Sequence, residues 1–169
     1  MDISANQNIV ILTGGDPRHQ FFIHQLNTHF SISDIYIEKS DYPSPSPQSE
    51  EESIAWDWFF RRRDHSEKEL VLESSQLPPK NNPRTTYLNN DELNSLGTIA
   101  KIEKSNPGFI AVFGTSILRK PFLQKFPNHL FNLHIGDPEF YRGSSCNFWP
   151  IHQGKLQHLS ATIHRINQG

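Results

Sequence analysis

Short apolar runs rich in β-branched residues alternate along the chain with segments whose apolar positions step by three and four. Residues 8–13 (NIVILT) form the first run, the pattern of a strand buried on both faces of a parallel sheet. Gly14-Gly15-Asp16-Pro17 ends it. Asp16 suits an N-cap and Pro17 a first helical residue; Phe21, Phe22, Leu26 and Phe30 then recur at near-helical spacing, which predicts a helix over 17–29. Residues 32–38 (ISDIYIE) read as a second strand, completing a βαβ unit.

The middle of the chain has a different texture. Residues 40–53 hold three prolines and an acid run with little to bury, and they read as a flexible insertion. Residues 54–72 read as a helix whose aromatics, Trp56, Trp58, Phe59 and Phe60, are expected to pack. Residues 77–86 read as a second flexible insertion. Leu93, Leu96, Ile99, Ala100 and Ile102 predict a helix over 90–104, with Asn89 or Asn90 as its cap.

Strand signals return after 107. Residues 108–113 (GFIAVF), 130–135 and 159–166 read as strands. Between them, 118–126 reads as a short helix with Pro121 near its start, and 144–153 as a helix shortened or bent by Pro150 and ended by Gly154. Strands alternating with helices predict one α/β domain, a Rossmann-like and mostly parallel sheet with helices on both faces.

Composition narrows the function classes. With 16 basic and 18 acidic residues the chain lacks the positive charge of a bulk nucleic-acid binder, and Arg61-Arg62-Arg63 reads as a solvated helix face. A lone cysteine, Cys146, excludes an internal disulfide, suits a reducing compartment and reads as a small packing residue. No long apolar run marks a membrane span, and residues 1–4 do not open a signal peptide, so a cytoplasmic location is expected. His19, His24 and His29 step by five and do not stack on one helix face, and His158 and His164 lack cysteine partners, so no metal site is expected.

Chemistry is sought beyond the carboxyl ends of the strands, where open parallel sheets bind ligands. Asn132 and His134 are two apart on a strand and therefore share a face with Leu130. An amide can donate to a developing oxyanion, and an imidazole can move protons near neutral pH. From spacing alone the plainer reading outweighs this one: polar residues that end a strand and satisfy loop backbone. Gly14, Gly15 and Asp16 follow the first strand; Arg18 and His19 could assist that turn, but exposed helix-face residues are the favoured reading.

The segment Asn132-Leu133-His134, followed by Gly136, Pro138 and Tyr141-Arg142-Gly143, resembles the Asn-x-His and Tyr-Arg-Gly segment of the formyltransferase family. The likeness runs back through Gly114-Thr115-Ser116-Ile117-Leu118 and forward through Phe148-Trp149-Pro150, Gly154 and Thr162-Ile163-His164. It implies an enzyme that transfers a formyl group from 10-formyltetrahydrofolate to a primary amine. An amino sugar or related small molecule is the favoured acceptor, and no nucleic-acid or membrane partner is implied. Carried over by position, His134 would move protons and Asn132 would hold the oxyanion. Gly114, Ser116, Ile117 and Leu118 would bind the folate. Gly14, Gly15, Asp16, Tyr141 and Arg142 would meet the acceptor.

Two departures accompany the resemblance. Pro138 stands one position further from Tyr141-Arg142-Gly143 than in many relatives. The family's third catalytic residue, an Asp, would fall just past Gly169, and no Asp or Glu follows Glu139, so residues 1–169 read as a catalytic domain incomplete at its C-terminal end. Asp137 and Glu139 are the candidate stand-ins. The alternatives are a folate-binding relative with impaired catalysis, and a plain dinucleotide-binding domain, the latter disfavoured because no Gly-x-Gly-x-x-Gly follows the first strand.

Overall fold

The computed structural model describes residues 8–39, 47–74, 77–143 and 146–167. Six strands form one sheet: β1 (Ile9–Thr13), β2 (Ile32–Glu38), β3 (Arg84–Leu88), β4 (Phe109–Phe113), β5 (Leu130–His134) and β6 (Thr162–Arg165). Their spatial order is β3-β2-β1-β4-β5-β6. The first five run parallel, and β6 closes the edge antiparallel to β5. The expectation of a mostly parallel α/β sheet therefore holds.

The doubly apolar runs do what their pattern requires. On one face Val10, Leu12, Tyr36, Ile110, Val112 and Leu130 pack with Leu93, Ile99, Ile102, Phe122 and Phe126. These partners come from a 3-10 turn (Glu92–Asn94), α3 (Leu96–Lys104), α4 (Lys120–Lys125) and the α4 C-cap. On the other face Ile11, Ile35, Ile37 and Ala111 meet Phe22, Ile23 and Leu26 of α1 (Pro17–His29). Phe122 is wholly buried, which alone contributes roughly 2–3 kcal/mol of transfer free energy. Helices thus cover both faces at the centre. Towards β6 the α1 side opens: Ile163 is 73 % exposed and the Arg165 guanidinium lies over the Phe131 ring.

Four expectations are revised. The 25-residue helix α2 (Glu50–Ser74) begins inside the segment read as an insertion, of which residues 40–46 lie outside the described residues. Its start is set by Ser49 Oγ, which accepts the Glu52 N–H at 3.1 Å, with Glu52 reaching back to the Gln48 N–H at 2.6 Å. Three glutamates in the first turn also oppose the helix dipole. Trp58 and Phe59 of α2 do not pack as expected: they are 63 % and 48 % exposed, because the helix lies on α1 rather than on the sheet.

The second segment read as an insertion stays irregular over 77–83 and ends in a strand. Residues 84–86 belong to edge strand β3, whose Arg84 pairs with the buried Asp34 at 2.9 Å. Just before it, Asn81 clasps the Ile32 backbone, accepting from its N–H at 3.1 Å and donating to its carbonyl at 2.6 Å. Finally, α3 is capped by Ser95, whose Oγ accepts the Thr98 N–H at 3.1 Å; Asn89 and Asn90 stand before the 3-10 turn instead. The last α-helix, α5 (Phe148–His152), is a single short turn with Pro150 inside it, and residues 144–145 of its expected span lie outside the described residues.

Candidate active site

The carboxyl ends of β1, β2, β4 and β5 make one rim, and the antiparallel β6 begins there. The chain leaves β1 first towards β2 and later returns to β4 on its other side, so the switch point lies between β1 and β4. There the Gly14 N–H and the Thr13 hydroxyl both donate to the Phe113 carbonyl, at 3.3 and 2.8 Å.

His19 fills this crevice. It was expected on an exposed helix face; it is 3 % exposed. A methyl group on Gly14 would lie 2.5 Å from its ring, and one on Gly114 2.2 Å from it. Gly114 also has a φ of +69°, which favours glycine, so both turns need their bare backbones. His19 Nδ1 accepts the Asp16 N–H at 3.0 Å, which assigns the ring proton to Nε2. Burial, and then the nearby Arg18 cation, hold its pKa down to about 4 against a weaker pull from Asp16. The ring is therefore neutral at physiological pH. Further N–H groups at the start of α1 are also engaged, since those of His19 and Gln20 donate to the Asp16 carbonyl.

Along the rim, β5 presents Asn132 and His134, both half-buried. The register sets Asn132 against Val112 of β4 and against His164 of β6, and His134 against Thr162. The Asn132 amide nitrogen lies 3.2 Å from His164 Nε2, and the His134 and His164 rings are 6.4 Å apart. His164 Nδ1 faces the Arg165 carbonyl at 3.3 Å. A carbonyl only accepts, so Nδ1 carries the proton, Nε2 accepts, and the Asn132 amide is oriented with its nitrogen inward. His134 Nε2 faces the Tyr141 carbonyl at 3.2 Å in the same way, which leaves Nδ1 with its lone pair. The pair thus shares a face as its spacing predicts.

Tyr141 and Arg142 shape the loop beside this pair. The Tyr141 hydroxyl donates to Gln153 Oε1 at 2.8 Å, and Arg142 Nε donates to the Pro138 carbonyl at 2.7 Å. Gly136 has no room for a side chain, because a methyl group there would sit 2.4 Å from Cys146 Cβ and 3.1 Å from His134 Nε2. Cys146 is buried, its thiol pushed up by burial. Asp137 goes elsewhere: its carboxylate meets His158 Nδ1 at 2.9 Å, and that hydrogen bond holds its pKa below the usual range. Glu139 is exposed and donates its N–H to Asp137.

The turn after β4 is anchored from two sides. Glu38, at the end of β2 and 2 % exposed, accepts the Ser116 N–H at 2.7 Å, the Ser116 hydroxyl at 3.1 Å and the Leu93 N–H at 3.4 Å. Asn94 donates to the Ile117 carbonyl at 3.0 Å and accepts the Arg119 N–H at 2.7 Å. Ile117 points outward, 82 % exposed, and Leu118 inward, 7 % exposed.

Sequence reasoning favoured an exposed face for His19, and it did not single out Glu38 or the contact of His164 with Asn132. A carboxylate ending an otherwise buried strand was the signal for Glu38, and two bare glycine turns in need of a filler were the signal for His19. Among the described residues no group of three or more His, Cys, Asp or Glu is placed to hold a metal ion. No described helix is long and apolar enough to cross a membrane.

No family model matches the chain, and no curated protein matches it by sequence. Solved structures do match. Phosphoribosylglycinamide formyltransferase from Anaplasma phagocytophilum aligns over 97 % of this chain and 66 % of its own, with a TM-score of 0.58 and 11 % identity. Glycinamide ribonucleotide transformylase 1 from Symbiobacterium toebii aligns over 98 % and 68 %, at 0.61 and 13 %. The Streptococcus pneumoniae phosphoribosylglycinamide formyltransferase aligns over 97 % and 76 %, at 0.61 and 12 %. The chain thus spans about two thirds of the length of the first of these, and it shares their fold.

Proposed function

We propose that the chain transfers a formyl group from 10-formyltetrahydrofolate to a primary amine. One observation carries the reading: an oriented amide and an imidazole with a free Nδ1 stand on one face at the carboxyl rim of a formyltransferase fold. Attack of the amine nitrogen on the formyl carbon makes a new C–N bond and a tetrahedral oxyanion. Asn132 has one N–H on His164 and the other free to donate to that oxyanion. Breaking the old C–N bond requires the proton lost by the amine to reach the folate nitrogen, and His134 Nδ1 is the carrier. Gly114, Ser116, Ile117 and Leu118 are the folate turn; Gly14, Gly15, Asp16, Tyr141 and Arg142 border the acceptor.

The acceptor is a small amine, an amino sugar by the sequence likeness. The first βα turn supports an acceptor without a phosphate at that position. A phosphate needs free donors, and there the Asp16 N–H is spent on His19 while the Arg18 guanidinium is held by the Asp16 and Glu67 carboxylates. A panel of amino sugars and glycinamide ribonucleotide, assayed with 10-formyltetrahydrofolate, tests this. Transfer to an amino sugar supports the reading; turnover of glycinamide ribonucleotide alone overturns the acceptor class. A second reading is a folate-binding chain with impaired catalysis. It is favoured by the engagement of Asp137 with His158, which leaves His134 without a carboxylate from its own loop. Folate binding with no transfer to any amine separates the two.

A further inference from the structure

We propose that Glu38 is the positioning residue of the 114–118 turn, a buried carboxylate that sets the conformation in which this turn meets the folate. The inference rests on the assignment of that turn as the folate wall. Burying an ionised carboxylate is unfavourable unless donors surround it, and here three converge: two from Ser116 and one from Leu93. The Ser116 N–H at 2.7 Å has the length of a strong charge-assisted bond, and the Leu93 N–H at 3.4 Å makes the weakest of the three contacts. Only an acceptor-only group serves all three, because the Leu93 N–H cannot turn round as a hydroxyl can.

The consequence for the turn is directional. With both Ser116 donors drawn inward, Ser116 faces the sheet, Ile117 is thrown outward and Leu118 returns to the core. Gly114, with its φ of +69°, is where the backbone swings onto the carboxylate. Asn94 holds the far side at Ile117 and Arg119. Ser116 therefore offers the ligand neither its N–H nor its hydroxyl hydrogen, and the exposed large apolar side chain of the turn is Ile117. Glu38 touches no ligand and acts through Ser116.

The test uses the full chain and 5-formyltetrahydrofolate as a non-transferring probe, titrated by calorimetry. Glu38→Gln should raise the Kd about tenfold, since the amide must set an N–H against the Leu93 N–H or release Ser116. Glu38→Asp, which keeps the charge but shortens the reach, should raise it by about threefold. A merely structural role would change the Tm and leave affinity alone. The positioning role instead moves the Ser116 amide-proton signal upfield in Glu38→Gln while the His134 ring signals stay in place. If the wild-type chain does not bind the probe, the folate assignment falls and this inference falls with it. If wild type binds and both variants bind equally well, only the positioning role is overturned. Should neither variant fold, hydrogen exchange on the wild type decides: a protected Ser116 amide, further protected by the probe, supports the role, and a freely exchanging one overturns it.

Discussion

The two halves of the carboxyl rim are built on opposite terms. At β1 and β4 the backbones are bare, the crevice is closed by one neutral imidazole, and the strands beneath are buried on both faces. At β5 and β6 the rim is polar and half open: three polar side chains, Asn132, His134 and His164, stand on an edge whose other side exposes Ile163. Packing fixes the first half, and hydrogen bonds to backbone carbonyls orient the second. A substitution in the first half should therefore cost folding, and one in the second should cost chemistry.

The sharpest test removes the chemistry and leaves the fold. His134→Ala should lower the transfer rate by about 10³-fold, about 4 kcal/mol, with the denaturation midpoint almost unmoved. A large loss of stability would break the comparison. Gly114→Ala is its mirror image. The added methyl meets the His19 ring and the positive φ is strained, so it should cost about 3 kcal/mol of stability by urea denaturation.

The pH dependence of stability sharpens the same contrast. The folded His19 pKa of about 4 lies below the ordinary value of 6.5, so the unfolded chain takes up the proton first. Stability from this group is complete above pH 6.5 and falls as pH drops through 4, by up to about 3 kcal/mol. His19→Asn should flatten that slope in thermal melts between pH 4 and 6.5. The smallest effect belongs to neither half. Ser95→Ala removes the α3 cap and should cost about 1 kcal/mol, with folate affinity unchanged.

The same division explains what could be read from the chain. The runs at 9–13, 32–38 and 109–113 became strands because burial on both faces leaves a continuous apolar signature. Arg84–Leu88 became a strand unseen because only Leu88 is buried; an edge strand with solvent on its side chains carries no such signature. The shared face of Asn132 and His134 was legible because alternation is local. Their partnership with His164 was not, since it depends on an antiparallel register across 32 residues. His19 was hidden for a related reason: helical spacing says which side of α1 it occupies, and only the assembled sheet says that a crevice waits there.

The seat of α2 on α1, one layer removed from the sheet, has a practical consequence for optical measurements. Two of the three tryptophans, Trp56 and Trp58, belong to that outer helix, and the third, Trp149, is 46 % exposed in α5. Intrinsic emission therefore watches the periphery of the molecule. A melt followed by fluorescence will register the departure of α2, and far-ultraviolet dichroism is the signal that follows the strands carrying the rim.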